Sequence, residues 1–297
     1  MFDDFKQAFR RYNNAHVQLI IINVVIFLAL VLFKVLATTT GFTQFFIDVH
    51  KQIAIPAPFS VFIERPWTIV TYAFVHDLRD IAHIFFNMLI FYWFGRLFIE
   101  YLGSDKLIGV YVLGFLAGGI AYLLAYNFIP YYEGRIPTHG MVGASAAVNA
   151  VLVACATLLP NYSFYLLFLG PVKIKYIAAF FIILSFVGSV GLNEGGNIAH
   201  LGGALIGYVY IKQLQSGYNW GNWIIIFIDW VKSLFKPTPK VKVTYRSDRK
   251  KKKAAPKPSD KVSQDEIDAI LDKISAGGYE SLTREEKEKL FNASKKG

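Results

Sequence analysis

The chain has a single cysteine, Cys155, in 297 residues, which excludes a disulfide framework and a cysteine-ligated structural zinc. Apart from that thiol, a nucleophile must come from Ser, Thr, Lys or a carboxylate. Charge is also scarce. Only 18% of residues are Asp, Glu, Lys or Arg, against about a quarter in ordinary soluble domains. Apolar residues take their place, at 54% of the chain with 16% aromatic and a mean hydropathy of +0.39, a membrane-protein composition. A net charge of +10 would suggest nucleic acid if it were spread over a surface. Residues 236–297, however, hold 17 Lys and Arg against 10 Asp and Glu, so most of the surplus sits in a C-terminal tail and no nucleic-acid partner is expected. No HExxH motif occurs, and carboxylates are rare in the apolar runs, so neither a metal nor a cofactor is expected.

The first apolar run, residues 17–37, is broken within its length by Asn23 and Lys34. It is too long for a signal-peptide core and is followed by no small-residue cleavage pattern, which predicts a retained span. Five more runs of roughly spanning length follow, at 81–99, 107–128, 143–159, 175–190 and 197–212. The fold class expected is therefore an all-α membrane bundle of six spans. With six spans, Lys6, Arg10 and Arg11, then Arg96 and Lys106, then Lys173 and Lys175, and the basic tail all fall on one side. Positive residues mark the cytoplasmic face, so both termini are expected there. A bacterial inner membrane is the simplest setting, with a eukaryotic organelle as the alternative.

Composition divides the chain further. Residues 1–16 form a cytoplasmic N-terminal segment and 17–216 the membrane domain. The loop at 38–80 is long, and its apolar clusters (Phe45, Phe46, Ile47 and Phe59, Val61, Phe62) around Pro56 and Pro58 predict that it lies partly in the membrane interface. Residues 217–235 read as an interfacial amphipathic helix anchored by Trp220, Trp223 and Trp230, with a seventh span as the alternative. A basic Pro/Lys linker, 236–262, carries the run Arg249 to Lys253, expected to lie along anionic lipid headgroups. Residues 263–297 read as a small helical hairpin, because Ser263 with Glu266 and Thr283 with Glu286 have capping-box spacing. So small a hairpin implies a partner on the cytoplasmic face.

Polar residues in apolar spans are costly, so three groups stand out. Ser145 lies in GASAAVNA (143–150), where a glycine-rich loop turns into an apolar helix. It is open to a substrate backbone, although small residues also serve helix packing. His200 lies in AHLGGALIG, with Gly203 and Gly207 one turn apart. It suits proton transfer near neutral pH, or else a plain interhelical hydrogen bond. Taken together, the two segments supply a hydroxyl nucleophile and a base on faces that allow close approach. His83 and Asn87, four residues apart, share one helix face and offer two donors for an oxyanion. The remaining histidines, His16, His50, His76 and His139, lie in no supporting motif.

GxSx at Gly143 to Ala146, AHxxGxxxG at Ala199, His200, Gly203 and Gly207, and HxxxN at His83 and Asn87 resemble the rhomboid family of intramembrane serine proteases, in order and on spans two, four and six. The resemblance covers roughly residues 66–213. It implies a six-helix core in which Ser145 is the nucleophile and His200 the general base, a dyad without an acidic member. It also implies an oxyanion hole formed by His83, Asn87 and the Ser145 amide. Peptide bonds in or beside the transmembrane segments of membrane-protein substrates would be cut through an acyl-enzyme.

This chain departs from the family in three places. Thr68 follows Trp67 where rhomboids often have arginine, which makes Arg65 the expected brace for the first loop. Ala146 replaces the usual glycine. Asn149 stands where many bacterial members place an aromatic residue, and Asn149 or Asn197 is expected to hydrogen-bond His200. Two other readings compete: a catalytically silent rhomboid-like protein that binds transmembrane clients, and a small transporter. The second predicts symmetric halves and a coupling carboxylate, and neither is found in the sequence.

Overall fold

The structure, a computed structural model, describes residues 13–137, 139–166, 169–191, 193–235 and 264–294. Two compact units divide the chain, Met1–Lys236 and Pro237–Gly297. In the first, every apolar run becomes a helix: α1 (Ala15–Thr39), α5 (Ile81–Leu102), α6 (Ser104–Phe128), α7 (Ser145–Leu158), α8 (Ile174–Gly188) and α9 (Glu194–Gln215). The first long loop folds as well, into α2 (Thr43–Ile53), α3 (Phe59–Glu64) and α4 (Thr68–Thr71), and α10 (Asn222–Phe235) closes the unit.

By length and composition, three of the described helices, α1, α5 and α6, can cross a membrane, while α7 and α8 are apolar but shorter. At 22 residues α9 has the length, but its first turns carry Glu194, Asn197 and two glycines in place of apolar side chains. The expected segment between the second and third runs shrinks to one residue. Gly103, at φ +82°, ends α5 and is followed directly by α6, a left-handed cap that glycine adopts without strain. Arg96 therefore lies within α5, and Lys106 in the first turn of α6.

The centre of the bundle is α7. From Ala146 to Ala156 every residue is buried, and most of those side chains are small. Gly114 and Gly118 of α6 face the Ala150 and Ala146 methyls from one side. Gly203 and Gly207 of α9 meet the carbonyl oxygens of Ala146 and Ala150 from the other. With little apolar contrast between side chains and lipid tails, such contact surfaces rely on backbone approach and dispersion. The outer helices show the opposite pattern. In α1 only Ala15, His16, Asn23, Phe27 and Ala37 are buried, and Asn23 turns inward, its Nδ2 donating to Tyr111 Oη at 3.2 Å and Leu19 O at 2.8 Å. Along α8 Phe180, Ile183, Leu184, Phe186 and Val187 lie exposed, as lipid-facing side chains should.

Paired contacts fix the first loop. Asn127 of α6 accepts from Phe59 N–H at 3.1 Å and donates to Ala57 O at 2.8 Å, which satisfies the backbone on both sides of Pro58, a residue with no N–H to offer. Arg65 donates to Lys51 O at 2.7 Å and Trp67 Nε1 to Gln52 O at 2.8 Å, so Arg65 does brace this loop. Ile55 and Met141 exchange backbone bonds at 3.1 and 2.9 Å.

The all-helical expectation needs one correction. Between α7 and α8 the chain forms an antiparallel hairpin, β1 (Ser163–Leu166) with β2 (Gly170–Lys173), in register Ser163 to Lys173. Its alternating pattern half-buries Phe164, whose ring lies 4.9 Å from Phe94, while Tyr165 points outward. Cross-strand pairing there satisfies backbone that a loop would leave open.

In the second unit, α11 (Gln264–Gly277) and α12 (Arg284–Ser294) flank a 3-10 turn at Tyr279–Ser281 and bury Ile270 and Leu282. Thr283 and Glu286 form the reciprocal cap: Thr283 N–H donates to the Glu286 carboxylate at 2.7 Å and Glu286 N–H to Thr283 Oγ1 at 3.3 Å. Ser263 and the Arg249 to Lys253 run lie outside the described residues.

Adding a methyl at Gly203 should destabilise the fold by about 1–3 kcal/mol, the usual cost of overpacking a rigid contact. Gly191→Ala, with its nearest neighbour 3.9 Å away, should shift stability by less than about 0.5 kcal/mol. Reversible unfolding in mixed micelles would compare the two, and equal effects would refute the backbone contact. A pH effect follows from Glu286, whose carboxyl is held down to about 2, first by Lys273 at 2.9 Å and then by Thr283. The folded value lies below the ordinary 4.5. Its contribution is therefore complete above that ordinary value and is lost as pH falls toward 2. In the full-length protein, protection of the α12 amides, corrected for intrinsic exchange, should fall over that window, and Glu286→Gln should flatten the change.

Candidate active site

Ser145 is the first residue of α7, so its N–H belongs to the first turn, where no intrahelical acceptor exists. The chain reaches it through Gly143, at φ +137°, whose N–H donates to Tyr72 O at 2.9 Å. A Cβ at Gly143 would stand 3.4 Å from His83 Nε2 and 3.5 Å from Ser145 Oγ. Glycine thus serves both the backbone angle and the close approach of these groups.

His200 comes from the second turn of α9. Its Nε2 lies 2.7 Å from Ser145 Oγ, and its Nδ1 lies 3.2 Å from Ser185 Oγ of α8. A hydroxyl can accept as well as donate. With the proton on Nδ1 pointing at Ser185, the Nε2 lone pair is free to take the Ser145 proton. Three helices therefore meet in one hydrogen-bonded line, Ser185 to His200 to Ser145.

Here the structure corrects the sequence reading. The ring partner is neither asparagine but Ser185. Asn149 Nδ2 donates to Ser145 O one turn back on its own helix, at 2.9 Å, a local bond always within reach at that spacing. Asn197 Nδ2 spans to Gly188 O at 3.1 Å and Asn193 O at 3.0 Å, holding the start of α9 against the end of α8. Asn149 still lines the cavity beside Ser145. Ser185, only 4% exposed, is a lone hydroxyl inside the apolar α8, and that is the sequence signal that would have found it.

His83 and Asn87 lie on the first turns of α5. They share with Ser145 and His200 a cavity of about 310 Å³, closed by Phe86, Ile90 and Phe181 among others. Asp80 caps α5 by accepting from His83 N–H at 3.2 Å, which fixes the turn that presents the imidazole. His76, fully buried, packs its ring 5.5 Å from that of His83. Asn87 Nδ2 is buried with no hydrogen-bond partner. An unmatched buried donor costs about 1–3 kcal/mol, so this amide is poised for an acceptor brought from outside.

A second, larger cavity of about 680 Å³ opens on the other side of Ser145. Its rim carries Asp77, Asp80, Glu194 and Arg135, with Arg135 and Glu194 paired at 3.0 Å. One wall of the serine is thus polar and the other apolar. The arrangement can activate a hydroxyl toward a carbonyl and receive the resulting oxyanion. Gly203 and Gly207 stay out of the chemistry and set the distance between α7 and α9.

Ser185→Ala should leave the fold intact and lower turnover by about 2- to 13-fold, the factor for losing one net hydrogen bond of 0.5–1.5 kcal/mol. Ser185→Thr, which keeps the hydroxyl, should recover most of it. Equal loss in both variants, at unchanged thermal stability, would contradict the positioning role.

A family model described as "Rhomboid domain" matches residues 64–216, the stretch that contains the residues around both cavities. A second model, described as a family of unknown function (DUF6576), matches residues 259–296, which take in α11 and α12. The chain is 33% identical over 165 residues to "RHOMBOID-like protein 12, mitochondrial" of Arabidopsis thaliana, covering 52% of this chain and 48% of that protein. The chain thus spans about half the length of this relative. With its matched segment holding the Ser145, His200, His83 and Asn87 cluster at the centre of an apolar helical bundle, the chain is an integral membrane protein and belongs to the rhomboid family.

Proposed function

We propose that this protein is an intramembrane serine protease that hydrolyses a peptide bond in or next to a transmembrane segment of another membrane protein. The observation that carries the proposal is the 2.7 Å contact between Ser145 Oγ and His200 Nε2 at the meeting of two cavities. On this reading α1 and α5 to α9 all cross the membrane and α10 lies in its interface. Trp223, Phe227 and Trp230 lie exposed along α10, aromatic side chains of the kind that anchor a helix at the interface. On the same reading the 14 residues of α7, about 21 Å, leave Ser145 below the surface, with the polar cavity as the route for water. Both termini lie on the positive-inside face of a bacterial inner membrane. The mitochondrial relative favours an organelle membrane as the second setting.

The mechanism follows from the parts. A substrate helix hides its carbonyls in its own hydrogen bonds, so it must unwind locally before attack. The apolar cavity lined by Phe86, Ile90, Val148, Leu152 and Phe181 suits an apolar segment, and Ser145 lies at its polar end. Ser145 Oγ attacks the carbonyl carbon while His200 Nε2 takes the hydroxyl proton. His83, the Asn87 amide and the Ser145 N–H receive the oxyanion. His200 returns its proton to the leaving amine, which departs and leaves an acyl-serine. A water from the larger cavity, deprotonated by His200, then hydrolyses the ester. Among the described residues no carboxylate bonds to the imidazole, and Ser185 takes the orienting place that an acid fills in a triad.

The apolar cavity also suits a client that is held and never cut, which is the second reading. A fluorophosphonate probe applied to the purified protein separates them. Wild type should label, Ser145→Ala and His200→Ala should not, and Asn87→Ala should slow cleavage of a transmembrane substrate by about 10² to 10³. A folded wild type that fails to label in both detergent and lipid would replace the protease with the client-binding reading.

A further inference from the structure

A third cavity, of about 330 Å³, lies away from the catalytic cluster, where the end of α1 meets α2. Its lining has two characters. Phe46, Ile47, Leu78 and Val142 give it apolar walls, and Lys34, Lys51 and Arg79 bring three permanent positive charges to it. Two imidazoles, His50 and His139, join them, against one carboxylate, Asp77. Asp77 Oδ1 accepts from the backbone N–H of Arg79 at 2.9 Å, and its single charge is outnumbered by the basic side chains around the cavity. Among the described residues, the side chains of Lys34, Lys51 and Arg79 take part in no hydrogen bond or ion pair.

Lys34 makes the arrangement hard to read as ordinary surface charge. It sits in α1 five residues before the helix end, between Leu32 on one side and Val35 and Leu36 on the other, all exposed apolar side chains of a membrane span. A cation among such side chains, sharing the single carboxylate Asp77 with Lys51 and Arg79, leaves room for a counter-anion. The field around it is positive. Burial first, and then His139 and Lys34, hold the His50 imidazole below its ordinary range, with Asp77 opposing.

We propose that this cavity binds a phosphate group through Lys34, Lys51 and Arg79, carried there by an anionic phospholipid whose glycerol and upper chains lie along Phe46, Ile47 and Leu78. Several donors converging from different elements suit the several oxygens of a phosphate better than one carboxylate. The apolar walls suit an amphiphile. Asp77, Gly140 and Val142 line this cavity and the larger one that opens on Ser145, so the occupant borders the 140–143 segment that leads to the serine. The binding stands whether or not Ser145 turns over.

The test is native mass spectrometry on the full-length protein in mild detergent, with phosphatidylglycerol, phosphatidylcholine or inorganic phosphate added. Wild type should retain one phosphatidylglycerol in preference to phosphatidylcholine. The double variant Lys34→Met, Lys51→Gln should lose that preference, with apparent affinity down about tenfold or more, as for loss of charge-assisted hydrogen bonds. The basic C-terminal tail is the same in both proteins, so lipid held there cancels in the comparison. If the double variant fails to fold, Arg79→Gln, altering an exposed side chain, carries the same comparison. Displacement of the lipid by millimolar inorganic phosphate, itself retained only when Lys34 is present, would identify free phosphate as the source of the same chemistry. Equal retention of phosphatidylglycerol by wild type and folded variants, or of the two lipids by wild type, would overturn the proposal.

Discussion

Backbone contact between α7 and α9 is the constraint on which the rest of this structure depends. Gly203 and Gly207 let α9 reach the carbonyl oxygens of Ala146 and Ala150, and only at that separation can an imidazole on α9 lie 2.7 Å from a hydroxyl at the start of α7. Both ends of the contact are defined by what the residues lack. A helix of small side chains has no bulk to hold a neighbour away, and a glycine face has none to be held by. α6 completes the arrangement by turning Gly114 and Gly118 toward the methyls of the same two residues, Ala150 and Ala146. The central helix is thereby fixed from two sides, and the serine at its first turn is fixed with it.

The polar groups follow the same economy. Within a bundle that buries so much apolar surface, each hydroxyl, amide or imidazole must find a partner or remain poised for one. Ser185 answers the far side of His200, Asn197 answers the carbonyl of Gly188, and Asn127 answers the backbone around Pro58. Half of the exceptions among the described residues gather in one region. Asn87 Nδ2 and both nitrogens of His76 are buried without partners, on the segment that leads into and opens α5. Three further buried atoms are unpartnered elsewhere, His16 Nδ1 and Asn23 Oδ1 on α1 and Tyr122 Oη on α6, but only Asn87 brings an open donor into the cavity that Ser145 and His200 share.

Much of this was legible in the sequence, for reasons specific to each residue. Ser145 among residues without bulk, His200 before a glycine ladder, and His83 one turn from Asn87 are local patterns, and helix periodicity converts them into faces. Arg65 as a brace was also legible, because a missing arginine beside Trp67 left one nearby candidate. Ser185 was not, because a single hydroxyl in an apolar helix signals a partner without saying which one, and its partner lies 15 residues away on another helix. The asparagines misled for a related reason. Sequence places Asn149 near His200 but is silent on the competing carbonyl of Ser145, which lies within the same turn and wins. The β1 to β2 hairpin was hidden because two four-residue strands have too few alternations to register as a period.

The lengths of the helices carry the last step. A bilayer asks about 20 residues of a spanning helix, and α1, α5 and α6 meet that with room to spare, while α7 has 14. A short helix at the centre of a bundle need not reach lipid at its ends, and α7 is buried along almost its whole length by its neighbours. Its brevity then has a consequence that a full-length span would forbid. The N-terminal turn, with unpaired N–H groups and the Ser145 hydroxyl, ends inside the bundle, where a polar cavity on one side and an apolar one on the other both reach it. Water and an apolar peptide segment are otherwise kept apart by the membrane itself. The shortened central helix gives them a common point of contact, and the proposed hydrolysis requires one.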